Sequence, residues 1–137
     1  MFLSVAMHGI LGLMALPPLS PSDLKADSHI ILTGVILSEF DRIVSTGHDK
    51  TASNRDIIFV VRVDGVEKGT GVRIGQQVYL HAWEAARRPS GWVGDGGHRD
   101  LPVDGKRTRF FLKQSADGRL ALLSPNGSED IGISQPK

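Results

Sequence analysis

The sequence predicts a small all-β domain, a five-stranded barrel, closed or partly open, behind an apolar N-terminal segment. Three observations carry that prediction. From residue 28 onward, apolar residues alternate with polar ones or run in short β-branched stretches. Glycine, asparagine and aspartate clusters separate those stretches at strand-length intervals. No sustained helical period follows the first 16 residues. At 137 residues the chain has the length of one domain. Five strands left as an open meander would expose two edges, which closure removes. The expected division is residues 1–26 as a leader or apolar segment, 27–127 as the barrel and 128–137 as a flexible tail.

Residues 1–16 (MFLSVAMHGILGLMAL) carry no charge and are stopped by Pro17-Pro18. The run falls short of the roughly 20 residues a bilayer span needs and matches the apolar region of a signal peptide. It predicts a bacterial chain exported to the periplasm or beyond, with no membrane span left after processing. No Lys or Arg precedes the run, and cleavage could fall at 20–22 or 24–26. A buried N-terminal helix is the competing reading.

Residues 29–44 (HIILTGVILSEFDRIV) form the first strand, and Gly34 inside it marks a bulge or bend. Residues 45–54 (STGHDKTASN) are the hairpin loop. The second strand, 56–66, is apolar on both faces over 57–61 and so lies central and covered. Three glycines in 67–75 make a turn. In the third strand, 76–83, Val78, Leu80 and Ala82 share one face while Tyr79, His81 and Trp83 share the other. Residues 83–88 (WEAARR) have helix-forming composition. The fourth strand is 107–113. Asp117-Gly118 is a turn signal, and the fifth strand, 119–123, ends at Ser124-Pro125-Asn126-Gly127.

Composition narrows the chemistry. A formal net charge of +1 gives no global field to hold nucleic acid, which is not an expected partner. With no cysteine, disulfides, thiolate metal sites and cysteine nucleophiles are excluded. There is no Gly-x-Ser-x-Gly or His-Glu-x-x-His, so no catalytic residue is assigned and an enzyme is not the favoured reading. Gly94-x-Gly96-Gly97 matches neither phosphate-binding pattern, and no cofactor is expected.

Function is expected in the long glycine-rich loop between the third and fourth strands, residues 85–105, because structureless loops of that length are usually functional or mobile, and this one concentrates arginine, tryptophan and histidine. Trp83, Arg87, Arg88, Trp92, His98 and Arg99 are the ligand-binding candidates. Tryptophan would stack, and the arginines would pair with carboxylate, sulfate or phosphate groups of a protein partner, an anionic glycan or a small ligand. The bland alternative folds Trp92 back over the barrel mouth and pairs the arginines with Glu84, Asp95, Asp100 and Asp104. His48, His81, His98 and Asp95 are the candidates for a metal, but without the spacing that preorganises such a site. A small metal-dependent enzyme using His81, His98 and Asp95 is therefore a second reading. A structural accessory domain of an envelope complex is a third.

Four segments carry a family resemblance: Val-Glu-Lys-Gly at 66–69, Gly-x-x-Ile-Gly-x-x-Val-Tyr at 71–79, Gly-Lys-Arg-Thr-Arg-Phe-Phe-Leu at 105–112 and Asp-Gly-Arg-Leu-Ala-Leu-Leu-Ser-Pro-Asn-Gly at 117–127. In this pattern the chain resembles bacterial exported modules similar to netrin-like and tissue-inhibitor-like OB-fold domains. The resemblance implies an OB-like barrel over residues 29–127. The cysteine-led inhibitory edge of the animal domains has no counterpart here.

Overall fold

A computed structural model of the protein describes residues 17–46, 51–89 and 94–132. One helix, α1 (Pro21–Asp27), precedes six strands: β1 (Ile30–Ser45), β2 (Ser53–Lys68), β3 (Gln77–Arg87), β4 (Arg107–Gln114), β5 (Leu120–Leu122) and β6 (Ser128–Asp130). The first five close in the order β1-β2-β3-β5-β4, with β4 returning to β1. All pairings are antiparallel except β3 with β5. This is the OB-like barrel the sequence predicts, with β6 added along β4.

The core follows from strand alternation. Leu32, Phe59, Val61, Leu80, Phe110 and Leu112 point inward and are almost wholly enclosed. Burial of a side chain of this size contributes about 1.5–3 kcal/mol, and the five barrel strands supply enough of them for one continuous core. Gly34 is where β1 bends. The β1–β2 register shifts between Thr33 and Gly34, and a Cβ at Gly34 would run into the Arg62 carbonyl and Val61 Cγ1. The bend separates two halves of β1. Ile31–Val35 pairs with both β2 and β4, whereas the remainder pairs with β2 alone and forms the edge of a β1–β2–β3 extension.

A second, smaller cluster covers the outside of the barrel. Ser20 caps α1 by accepting the Asp23 N–H at 3.1 Å, and Pro21 occupies its first turn. Leu24 then packs on Ile31, Phe111 and Leu123. Leu19 is fixed from both sides by Asn126, whose side chain accepts from the Leu19 N–H and donates to the Leu19 carbonyl. Residues 17–26, placed by sequence with the leader, therefore include a helix seated on the barrel. Among the described residues no helix is long and apolar enough to cross a membrane.

Three local expectations need correction. Residues 83–88 are not helical: β3 continues to Arg87, paired with β2 through Glu84↔Arg55 and Ala85↔Asn54. Hydrogen bonds to a waiting neighbour strand outweigh a helix preference of a few tenths of a kcal/mol per residue. The long loop accordingly begins after Arg87 and not at Ala85. Ser128–Asp130, expected in the tail, pairs with Thr108–Phe110.

Candidate functional site

The loop after β3 returns to the barrel and fills a gap in its wall. β3 meets β5 only at Leu80↔Leu120 and His81↔Ala121. Past that point its free side is taken by residues 96–98: the Ala85 N–H donates to Gly96 O at 2.9 Å, and the His98 N–H donates to Trp83 O at 2.8 Å. Gly97 sits against Glu84 as a bridge, with φ +88°. A Cβ there would collide with the Trp83 carbonyl and lie 2.9 Å from the Glu84 Cα and Trp83 Cε3. Asp95 turns the chain by accepting the Gly97 N–H at 2.8 Å.

His98 completes the seam. Its ring is buried, with Nδ1 3.1 Å from the Trp83 N–H and Nε2 2.8 Å from the Leu122 carbonyl. Nδ1 lies within hydrogen-bond reach of both the Trp83 N–H and, at 3.0 Å, the Trp83 carbonyl, while Nε2 faces the Leu122 carbonyl. Both nitrogens are thus committed to backbone on opposite sides of the gap, and neither offers a lone pair to a ligand. The Arg99 N–H continues the seam to Pro125 O at 2.8 Å.

The other sequence-predicted residues are dispersed. Arg88 holds the loop end of the β1–β2 hairpin, donating to Ser53 O and Asn54 Oδ1 at 2.6 Å each. Arg87 and Arg99 are exposed, and Trp83 is half-buried. Trp92 and His48 lie outside the described residues. His81 faces outward from β3, away from the barrel interior that Leu80 and Ala82 occupy. Among the described residues no three His, Asp or Glu side chains come together as a metal site. The metal reading keeps His81 but loses the free nitrogen of His98, and Asp95 is occupied with Gly97.

What the fold does assemble is a groove of about 780 Å³ on the outer face of β1, β2, β3 and β5. Strand register builds it in rows. Phe40↔Ile58, Ile58↔His81 and His81↔Ala121 lie in one row, and Arg42↔Asp56 and Asp56↔Trp83 in the next. Phe40 and His81 stand two strand spacings apart, about 10 Å, with Ile58 as the floor between them. That width admits one flat ring or one extended chain. Phe40 is 61% exposed. Burial, and secondarily the positive charge of Arg119, holds the His81 imidazole below its usual range, so it is neutral at neutral pH.

Two ion-pair clusters flank this face. On the inner side of the extension, Arg55 reaches Glu39 at 2.7 Å and Asp41 and Glu84 at 2.6 Å, each through a different nitrogen. These bonds push its guanidinium still higher, with Glu84 the largest cause. Near the bend, Arg107 grips Asp64 through Nε at 2.9 Å and Nη2 at 3.0 Å, and Thr33 donates to the same carboxylate at 2.5 Å. The Arg107 hydrogen bonds, more than that from Thr33, hold the Asp64 carboxyl below the usual range.

Sequence patterning places Tyr79, His81 and Trp83 together on one outward face, and the structure agrees. It gives no prominence to Phe40, Ile58 or Arg42. Their signal is present in the alternation of β1, where Phe40 falls on the side opposite the core, but the meaning of that side depends on strand neighbours. Family models, curated proteins and solved structures give no match to the chain.

Proposed function

We propose that the chain is an exported protein-interaction module that seats an apolar side chain of its partner in the β1–β2–β3 groove. The observation that carries this reading is the exposed Phe40 standing over Ile58 and opposite His81. An aromatic set beside an apolar floor, with polar groups at its margin, has the make-up of an interface centre and its rim. The charges around the groove are of both signs: Arg42 lies across from Asp56, and Arg119 is 3.9 Å from Asp117. Such balance suits a polypeptide better than a uniformly anionic glycan. OB-type barrels commonly bind through this face. Export rests on the apolar leader of residues 1–16.

The test is a ¹⁵N NMR titration of the full chain with acetyl-Val-Phe-Val-amide and, separately, a hyaluronate tetrasaccharide. The peptide is expected to shift the amides of Ile58, His81 and Trp83, and Phe40→Ala is expected to remove the effect. Shifts confined to residues 94–106, or a response to the saccharide alone, would overturn the reading.

A further inference from the structure

We infer that the free edge of β1 takes up a strand of the partner, an extended segment whose side chains alternate between apolar and basic. This rests on the β1–β3 face being a contact surface, and it names what lies on it. β1 has β2 along one side as far as Ser45, but β4 covers its other side only from Ile30 to Val35. From Ile36 to Ser45 that second side carries no strand among the described residues. Leu37, Phe40 and Ile43 on this stretch are 43%, 61% and 63% exposed. An open edge with apolar side chains is a template for an added strand, whose main chain supplies affinity and whose alternate side chains supply specificity.

The two faces of the edge ask for different side chains. Phe40 and Arg42 point to the groove, so residues of the added strand on that face sit beside Phe40 and widen the apolar floor. Glu39 and Asp41 point the other way and share Arg55 with Glu84. Three carboxylates surround one guanidinium, a local excess of two negative charges, and each meets Arg55 through a single oxygen. Lysine or arginine on that face of the added strand answers the excess. Strand alternation then converts the two demands into a basic–apolar–basic repeat.

A second copy of the chain is disfavoured in the registers centred on the charged stretch Glu39–Arg42. Antiparallel self-pairing places a two-fold axis at one residue of the edge. Centred on Glu39 it opposes Glu39 to itself, and centred on Phe40 it opposes Glu39 to Asp41. Centred on Asp41 or Arg42 it opposes that residue to itself. Every one of these registers sets like charges directly across the new pair, which destabilises it.

The experiment uses the full chain and fluorescence anisotropy with three labelled peptides: Lys-Val-Lys-Phe-Lys-Val, its Glu-for-Lys counterpart, and the basic peptide N-methylated at alternate amides in each of the two phases. The basic peptide is expected to bind about tenfold or more tighter than the acidic one. One N-methylation phase should abolish binding. E39Q/D41Q should remove the preference and E39K/D41K should reverse it, with near-UV circular dichroism unchanged. Equal binding of basic and acidic peptides, no binding, or indifference to both N-methylation phases would overturn strand addition. If the peptide is indifferent to methylation while acetyl-Val-Phe-Val-amide still shifts Ile58 and His81, the groove reading stands and strand addition falls. Concentration-dependent dimers lost on Phe40→Glu substitution would instead assign the edge to a second copy.

Discussion

The His98 Nε2–H donates to the Leu122 carbonyl at 2.8 Å, and this bond closes the barrel wall at a place where no two strands pair. With the Trp83 N–H on Nδ1, it makes the imidazole a cross-tie between β3 and the end of β5. His98→Ala removes both bonds and leaves two buried backbone groups unpaired. A loss of about 2–4 kcal/mol is expected, since each orphaned group costs about 1–3 kcal/mol. Urea unfolding measures it; a change within 0.5 kcal/mol (roughly the scatter of neutral surface substitutions) would contradict the seam role.

Gly97→Ala should weaken the same seam by a different route. The residue has φ +88°, and an added Cβ meets the Trp83 carbonyl and the Glu84 backbone. Strain of about 1–3 kcal/mol is expected from the backbone conformation alone. Amide exchange should show the loss concentrated at Trp83, Ala85 and His98, whose bonds depend on this approach. Uniform exchange across the barrel would argue against a local seam.

Asp64 and Arg107 should shape the acid limb of stability. The folded carboxyl titrates below its unfolded value of about 3.8, held there chiefly by Arg107. Stabilisation is therefore complete above that unfolded value and is lost as pH falls through the lower, folded one. Both side chains are 36% exposed, so the contribution is expected to stay below about 1 kcal/mol. Asp64→Asn should flatten the acid limb of a urea-midpoint profile; an unchanged limb would show the pair to be inert.

His81 carries the opposite charge type with the same pH direction. Its folded imidazole titrates below the ordinary value of 6.5 because burial disfavours the cation, with Arg119 adding to the effect. Its contribution is present above the unfolded value and is lost as pH falls through the folded one. An NMR titration of the imidazole Cε1 proton should give a midpoint below 6.5, moving upward in Arg119→Gln. A midpoint above the ordinary value would contradict the partly buried, neutral assignment.

The barrel was legible because it rests on alternation and punctuation. Val78, Leu80 and Ala82 announce their inward face without any knowledge of neighbours, and Gly34 announces the bend. The site was legible only in part. Tyr79, His81 and Trp83 were recognisably co-facial, but the groove also needs Phe40 and Ile58, which meet them only through β1–β2–β3 register. The bonding of His98 across the seam is hidden in the sequence for a related reason. In sequence the residue belongs to a polar, glycine-rich loop, and nothing local reveals that β3 and β5 leave a gap for it to fill. The short length of β5, set by its turn at Ser124–Gly127, decides that role from 24 residues away.

Hydrogen exchange at the β1 edge tests the central claim most directly. Amides between Ile36 and Ser45 are compared in the full chain alone and with saturating Lys-Val-Lys-Phe-Lys-Val. On this account the outward amides of that stretch slow on addition of the peptide, while residues 94–106 keep their rates. Protection gained in residues 94–106 with none at the β1 edge would contradict it, returning the partner surface to the loop.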